Sequence, residues 1–305
     1  MPELPEVTTT VQGLNATVKG KTIAGVWSDW KKTVKHPVFD SFRKQVVGRK
    51  ILNAERCGKN ILIHLSSQRF DLKNSKRSNF VTILIHLKMT GHLLYGKYKK
   101  EGPTFRAVGP GLLRDDPYNR YVHLLFILKN GMSLALSDAR KFAKIKLFDS
   151  KDVKTCNDLK NLGPDALEVN FLEFKECLFL RPMGKIKQVL INQEIIAGIG
   201  NIYSDEILWK VGIHPESRIS KIPKQKFSVL YKAMRKILKK GIDFGGDSTS
   251  DYRDIRGLRG KFQHHHNVYR RKGASCLKHD GGIITRIIVG GRSGHFCPTH
   301  QKFYS

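Results

Sequence analysis

Met1-Pro2-Glu3-Leu4-Pro5-Glu6 opens the chain, and the meaning given to these residues decides how the rest is read. A small residue after the initiator favours removal of the methionine, which would leave Pro2 with a free secondary amine. An α-amino group has a pKa of about 7.7–8.0, so part of it is a neutral nucleophile at physiological pH. Attack on a sugar C1′ would give an iminium, an electron sink for cleavage of neighbouring bonds, with Glu3 as carboxylate or acid at the same centre. A plainer reading also stands on these residues alone. Proline suits the first helical positions and acidic residues suit a first turn, so Pro2, Glu3, Pro5 and Glu6 could be capping only.

Outward from that stretch, Val7, Val11, Leu14 and Val18 fall at i, i+4, i+7 and i+11, one stripe of an amphipathic helix ending near Gly20. Such a helix packs on something and holds the terminus still. From Thr22 to about Asp149 the period changes to two: Ile61, Ile63 and Leu65 alternate with Asn60, Leu62 and His64. Tyr121 to Leu128 and Met132 to Ser137, joined by Asn130-Gly131, read as a hairpin. Gln68–Asn79 and Gly96–Asn119 are polar and rich in Lys, Gly or Pro, and are expected as long loops.

Beyond a polar connection near Ser150 to Pro164 the pattern turns helical, with Phe227, Leu230, Tyr231, Met234, Ile237 and Leu238 on one stripe. Helical segments Lys185–Ile195 and Asn201–Val211 flank Gly198-Ile199-Gly200. The second helix start offers free N–H groups that suit a phosphate. An ordinary glycine-rich helix junction fits these residues equally well; a dinucleotide fingerprint does not.

In 305 residues, 55 Lys and Arg stand against 26 Asp and Glu, a net charge of +29, while 40% of the chain is hydrophobic. That combination describes a folded protein that meets a polyanion. No stretch is apolar and long enough to span a bilayer and no signal-peptide pattern opens the chain, so a membrane or secreted role is not expected. Five widely spaced cysteines do not make a disulfide framework; Cys57, Cys156 and Cys177 are expected as buried thiols in a reducing compartment. An intracellular nucleic-acid binder is the expected class.

In the tail, Cys276-Leu-Lys-His279 and Cys297-Pro-Thr-His300 are two C-x2-H pairs separated by seventeen residues. Two thiolates and two imidazoles at these spacings suit tetrahedral zinc, with His264, His265, His266 and His295 as spare candidates. A zinc-free hairpin with incidental Cys and His is the other reading. Between the pairs, Gly290-Gly291-Arg292 makes a hairpin tip whose arginine could clamp phosphate.

Five motifs occur together and in order: Pro2-Glu-Leu-Pro-Glu-Val7, Gly58-Lys59, His86-Leu-Lys-Met89-Thr-Gly91, Gly198-Ile-Gly-Asn201-Ile-Tyr203, and Arg292 to His300. In them the chain resembles the formamidopyrimidine-DNA glycosylase / endonuclease VIII family, and more closely its formamidopyrimidine (8-oxoguanine) branch, from residue 2 to about residue 302. The resemblance implies an α+β fold: an N-terminal β-sandwich with flanking helices, then a helical domain with a helix-two-turn-helix and a zinc-finger-like β-hairpin. The expected boundaries are 1–149 for the sandwich, 150–164 for a linker, 165–267 for the helical domain and 268–305 for the hairpin. DNA would lie in a basic cleft.

The resemblance also implies roles. Pro2 would be the nucleophile, Glu3 the acid/base and Glu6 a supporting carboxylate. Lys59 would contact the phosphate beside the lesion and act as a further acid/base group. His86, Asn201 and Arg292 would hold flanking phosphates. A base must be flipped out for chemistry, and Met89, Arg140 and Phe142 match the side chains that fill the hole. Lys187 aligns with a lysine that can touch the damaged base. One structural zinc on Cys276, His279, Cys297 and His300 is expected, and no organic cofactor. The partner would be duplex DNA with an oxidised base or abasic site, bound by a monomer, at the nucleoid if the source is bacterial.

The implied reaction removes an oxidised purine and cuts the strand by β,δ-elimination. An endonuclease VIII-like preference for oxidised pyrimidines, or non-catalytic binding of damaged DNA, are the alternatives. The chain departs from the family pattern in three places. Asp138-Ala-Arg-Lys-Phe-Ala143 lacks the usual proline and glycine, histidines replace the second cysteine of each pair with one extra residue between pairs, and Lys261 stands where tyrosine is frequent.

Overall fold

Leu4–Thr17 forms the first helix, α1, with Val7, Val11 and Leu14 on its buried side as their spacing requires. The computed structural model describes residues 1–67 and 80–305, so the loop expected at Gln68–Asn79 lies outside the described residues. After α1 come β1 (Ile23–Ser28), β2 (Val34–His36), α2 (Phe39–Val46), β3 (Ile51–Cys57), β4 (Asn60–Leu65), β5 (Val81–His86) and β6 (His92–Gly96). They are followed by β7 (Tyr98–Glu101), β8 (Thr104–Ala107), α3 (Leu112–Asp115), β9 (Val122–Leu128), β10 (Ser133–Ser137) and β11 (Lys144–Asp149).

Among the described residues these strands form a four-stranded sheet in the order β1-β9-β10-β6, a five-stranded one in the order β2-β11-β5-β4-β3 and the separate pair β7-β8. Ile61, Ile63, Ile83 and Ile85 from one sheet and Leu93, Leu124, Phe126 and Leu134 from the other share one core with the apolar stripe of α1. This is the expected sandwich, with a helix closing one part of it.

Three local expectations need correction. Gly96–Asn119 is not a plain loop: β7 and β8 pair as a hairpin whose Phe105 packs on Trp27 at 4.9 Å between ring centroids. Its strands are only four residues long, with every residue exposed or half-buried, too short for an apolar alternation to register. β4 is buried on both faces except at His64, because it sits inside the sheet between β3 and β5. Cys57, Cys156 and Cys177 are half-buried rather than buried.

The chain divides into two units: residues 1–160 with 244–261, and residues 161–243 with 262–305. The second contains α4 (Phe171–Phe179), α5 (Ile186–Ile191), α6 (Asn201–Val211), α7 (Lys224–Asp243), β12 (Thr285–Val289) and β13 (Arg292–Phe296). Gly212, at φ +70°, ends α6 in the left-handed conformation common at helix C-termini. Among the described residues, the strands β12 and β13 pair only with each other.

Segment 244–261 does not stay with the helices on either side of it, although the expected helical domain ran on to 267. It packs in the first unit, where Ile255 enters the sandwich core and Arg253 Nε pairs with Asp116 Oδ2 at 2.7 Å. Among the described residues, no helix is long and apolar enough to cross a membrane.

Candidate active site and metal centre

The start of α1 is a closed arrangement of backbone and carboxylates. Pro2 is buried, and Glu3 and Glu6 are only 2% and 1% exposed. Glu6 Oε2 accepts the Glu3 N–H at 2.7 Å, as in a capping box, and its Oε1 accepts the Asp247 N–H at 2.7 Å. The Tyr252 hydroxyl donates to the Glu6 carbonyl at 3.0 Å, and burial raises that phenol far above its ordinary pKa. A side chain on Gly246 would come within 2.8 Å of Glu6 Cγ, so the backbone of segment 244–261 lies directly on this carboxylate. Capping alone does not call for burying both carboxylates; an exposed helix start would be capped as well.

Also in the first unit, cations gather at one end of the five-stranded sheet. Gly58-Lys59 is the two-residue turn between β3 and β4; Asn60 then pairs with His86, and His86 with Lys144. Lys59 is 6% exposed rather than solvated. Burial, followed by the charges of Lys88, Lys59 and Lys144, lowers the His86 pKa to about 3. Its Nδ1 accepts the Lys88 N–H at 3.0 Å, which places the remaining proton of the neutral ring on Nε2. His86 is therefore an uncharged N–H donor at neutral pH.

Met89, Arg140 and Phe142 come together at the surface. Arg140 Nη1 lies 3.3 Å from Met89 Sδ, and its guanidinium carbon sits 4.6 Å from the Phe142 ring centre. Met89 is 43% exposed and Phe142 47%, which packing side chains would not be. Their support is Asp138, fully enclosed, which accepts from the Thr90 hydroxyl, the Arg140 N–H at 3.3 Å and the Ala143 N–H at 2.7 Å. The sequence reading gave Asp138 no task; its place at the head of the Asp138–Ala143 motif was the available signal. With Asp138 gathering the turn, the missing proline and glycine leave Arg140 and Phe142 side by side.

In the second unit, Asn201 is the first residue of α6, and its Nδ2 donates to Ser293 Oγ at 3.3 Å. Arg292 is exposed at the start of β13, just after the Gly290-Gly291 tip. Lys187, expected against a base, lies enclosed on α5. It is 0% exposed, with Nζ 2.5 Å from Asp205 Oδ1 and 3.0 Å from Ser204 Oγ. A lysine on an apolar helix face can be enclosed when a carboxylate comes with it, and that pairing is invisible to local spacing.

The cysteine hairpin brings together Cys276, Asp280, Cys297 and His300, whose ligand atoms all lie within 4.8 Å of one another. His279 is not in this group. It occupies a left-handed turn position at φ +53° with its N–H bonded to the Cys276 carbonyl, and the turn delivers the next side chain, Asp280, instead. Among the described residues, His264, His265, His266 and His295 form no such group either.

Two soft sulfurs, one carboxylate and one imidazole fit a four-coordinate metal such as zinc. His300 Nε2 is 3.0 Å from the Trp209 carbonyl, which fixes its proton there and frees Nδ1 as the ligand atom. Trp209 Nε1 donates to Cys276 Sγ at 3.4 Å, and burial pushes the Cys276 thiol up until a metal displaces its proton.

Comparison with known proteins covers the whole chain. The family model for the formamidopyrimidine-DNA glycosylase N-terminal domain matches residues 1–145, and that for the formamidopyrimidine-DNA glycosylase H2TH domain matches residues 162–253. The formamidopyrimidine-DNA glycosylase of Pelotomaculum thermopropionicum is 35% identical over 303 residues, covering 99% of each chain. That of Bacillus subtilis is 33% identical over 304 residues, again covering 99% of each. Among solved structures, the Lactococcus lactis Fpg in complex with abasic-site DNA superposes with a TM-score of 0.80 at 28% identity, covering 98% of this chain and 99% of that one. The same protein with N7-benzyl-Fapy-dG DNA gives 0.80 at 28% identity, with 99% and 100% covered.

Proposed function

Because the chain belongs to the formamidopyrimidine-DNA glycosylase family, we propose that this DNA glycosylase removes an oxidised purine, such as 8-oxoguanine or a formamidopyrimidine, and then cuts the strand by β- and δ-elimination. The carrying observation is the enclosed helix start, where Pro2, Glu3 and Glu6 are all buried together.

With Met1 removed, the Pro2 nitrogen bonds to C1′ of the damaged nucleotide as the bond from C1′ to the base breaks, and the base leaves with that electron pair and takes up a proton. The amine proton is lost to water. Glu3 then donates a proton to O4′ as the bond from C1′ to O4′ opens, leaving an iminium between Pro2 and C1′. The iminium acidifies the C2′ hydrogen; its removal expels the 3′ phosphate, and a second elimination expels the 5′ phosphate. Hydrolysis of the remaining iminium frees Pro2. Glu6 keeps the terminus in place, through the Glu3 N–H on one oxygen and Asp247 on the other.

Lys59 and His86 in the first unit, and Asn201 and Arg292 in the second, hold the phosphates beside the everted nucleotide. His86 acts there as a neutral donor, in keeping with its lowered pKa. Met89, Arg140 and Phe142 occupy the gap in the stack as a flexible thioether, a planar donor fork and an aromatic wedge. Lys187 has no contact with the lesion in this scheme. A zinc on Cys276, Asp280, Cys297 and His300 is structural and staples the hairpin that carries Arg292.

Borohydride reduction in the presence of abasic-site duplex is the direct test. The mature protein is expected to become covalently linked to DNA, with mass spectrometry placing the adduct on Pro2, and Pro2→Gly is expected to trap far more slowly. Tight binding with no adduct would leave only a DNA-binding scaffold. A panel of 8-oxoguanine, formamidopyrimidine and oxidised pyrimidines in one duplex decides the lesion class.

A further inference from the structure

Lys187, Asp205 and His295 are enclosed polar residues on three different elements: α5, α6 and β13. Asp205 gives one oxygen to Lys187 Nζ at 2.5 Å; its other oxygen accepts both the His295 N–H at 2.9 Å and His295 Nδ1 at 3.0 Å. The Tyr269 ring packs edge-on against His295 at 5.2 Å. None of the chemistry above uses this group.

Its position gives it a purpose. Asn201 and Asp205 are one turn apart on α6, a rise of about 6.0 Å. Ser293 and His295 are two residues apart on β13, about 6.7 Å. The two elements therefore meet in two matched rungs, Asn201 with Ser293 and Asp205 with His295. The hairpin also lies closely on α5: an added Cβ at Gly294 would meet the Lys187 stem at 3.3 Å, and one at Gly290 the Gln188 amide at 2.0 Å. Arg292 stands between these anchor points.

We propose that Asp205 is a positioning residue for the phosphate grip, locking β13 in register on α6 so that Arg292 and Asn201 present their donors together. The proposal rests on the DNA-binding reading above. Enclosing an ion pair is a poor way to gain stability, since well-packed apolar side chains often serve as well. Apolar packing is non-directional, however, and would leave the strand free to slide along the helix. Two hydrogen-bonded rungs at matched spacing, the Asp205 one charge-assisted, fix the register.

The test is the double variant Lys187→Met with Asp205→Leu in the full chain, which exchanges the ion pair for packing. It is expected to stay folded by circular dichroism, with affinity for abasic-site DNA about tenfold weaker and a log–log salt slope smaller by about 0.9, one phosphate contact. Adding Arg292→Ala to it should cost nothing further, because the grip is already lost. Should the double variant fail to fold, His295→Phe, which removes one side-chain rung and keeps the ion pair, is read in the same way. An unchanged slope, or a full additional loss with Arg292→Ala, would overturn the proposal. A wild-type protein that neither binds nor traps abasic DNA would instead overturn the functional reading beneath it.

Discussion

The helix start at Pro2 and the cysteine hairpin near residue 280 are both short, dense clusters of polar side chains, yet they are specified differently. At the helix start, register decides everything: once α1 begins at Leu4, the third helical residue, Glu6, must return to the Glu3 N–H. In the hairpin, a spacing of two between Cys276 and His279 leaves the outcome to one backbone angle. With His279 at φ +53°, the turn carries Asp280 into the cluster. Regular structure thus passes a motif directly into geometry, whereas a tight turn can move the working side chain by one position.

Removing a group from the helix start should give the largest effect. Glu3→Gln keeps the size and much of the hydrogen bonding but cannot transfer a proton, so single-turnover formation of the ring-opened iminium, read by borohydride trapping on a damaged duplex, should fall by about 10²–10⁴-fold. A loss below tenfold would mean that Glu3 is a cap and that the two clusters are alike in being structural.

The hairpin offers the intermediate effect and the sharper contrast. Asp280→Ala should weaken zinc by more than the roughly 10–100-fold that loss of an outer-shell partner costs. His279→Ala should leave it within about twofold, as for a surface substitution. Metal analysis after chelator dialysis, together with the visible spectrum of the cobalt-substituted protein, reads both. The reverse ranking would restore the histidine expected from spacing.

The smallest effect is expected from pH at His86. Its pKa of about 3 keeps the ring neutral, so its contribution to DNA affinity should stay flat from pH 8 to 5.5. Binding that His86→Ala weakens only below pH 6.5 would show a charged ring instead. Folding lowers this imidazole's proton affinity, so its contribution to stability is complete above about pH 6.5 and is lost as the pH falls toward 3.

Most of the first unit was legible because its signals are local: the stripe Val7-Val11-Leu14 and the Asn130-Gly131 hairpin stand as expected, whereas Met89, Arg140 and Phe142, which the family resemblance singled out, lie side by side. What escaped was set by distant partners or by elements too short for a pattern. Lys187 was read as a ligand-facing cation, while Asp205, eighteen residues on, turns it inward. The β7–β8 hairpin hides in a polar stretch, since each strand is only four residues long and none of its residues is fully buried. Asp280 stood beside the expected ligand, and spacing rules do not include turn handedness.

Segment 244–261 has a consequence for dissection. The backbone crosses from one unit to the other three times, after residues 160, 243 and 261. A fragment ending at residue 160 would therefore lack Ile255 from its hydrophobic centre and the Asp247 amide that Glu6 accepts. Neither half is a portable cassette: limited proteolysis should not release an autonomous N-terminal piece, and grafting the reactive terminus onto another scaffold would have to carry this eighteen-residue return along with it.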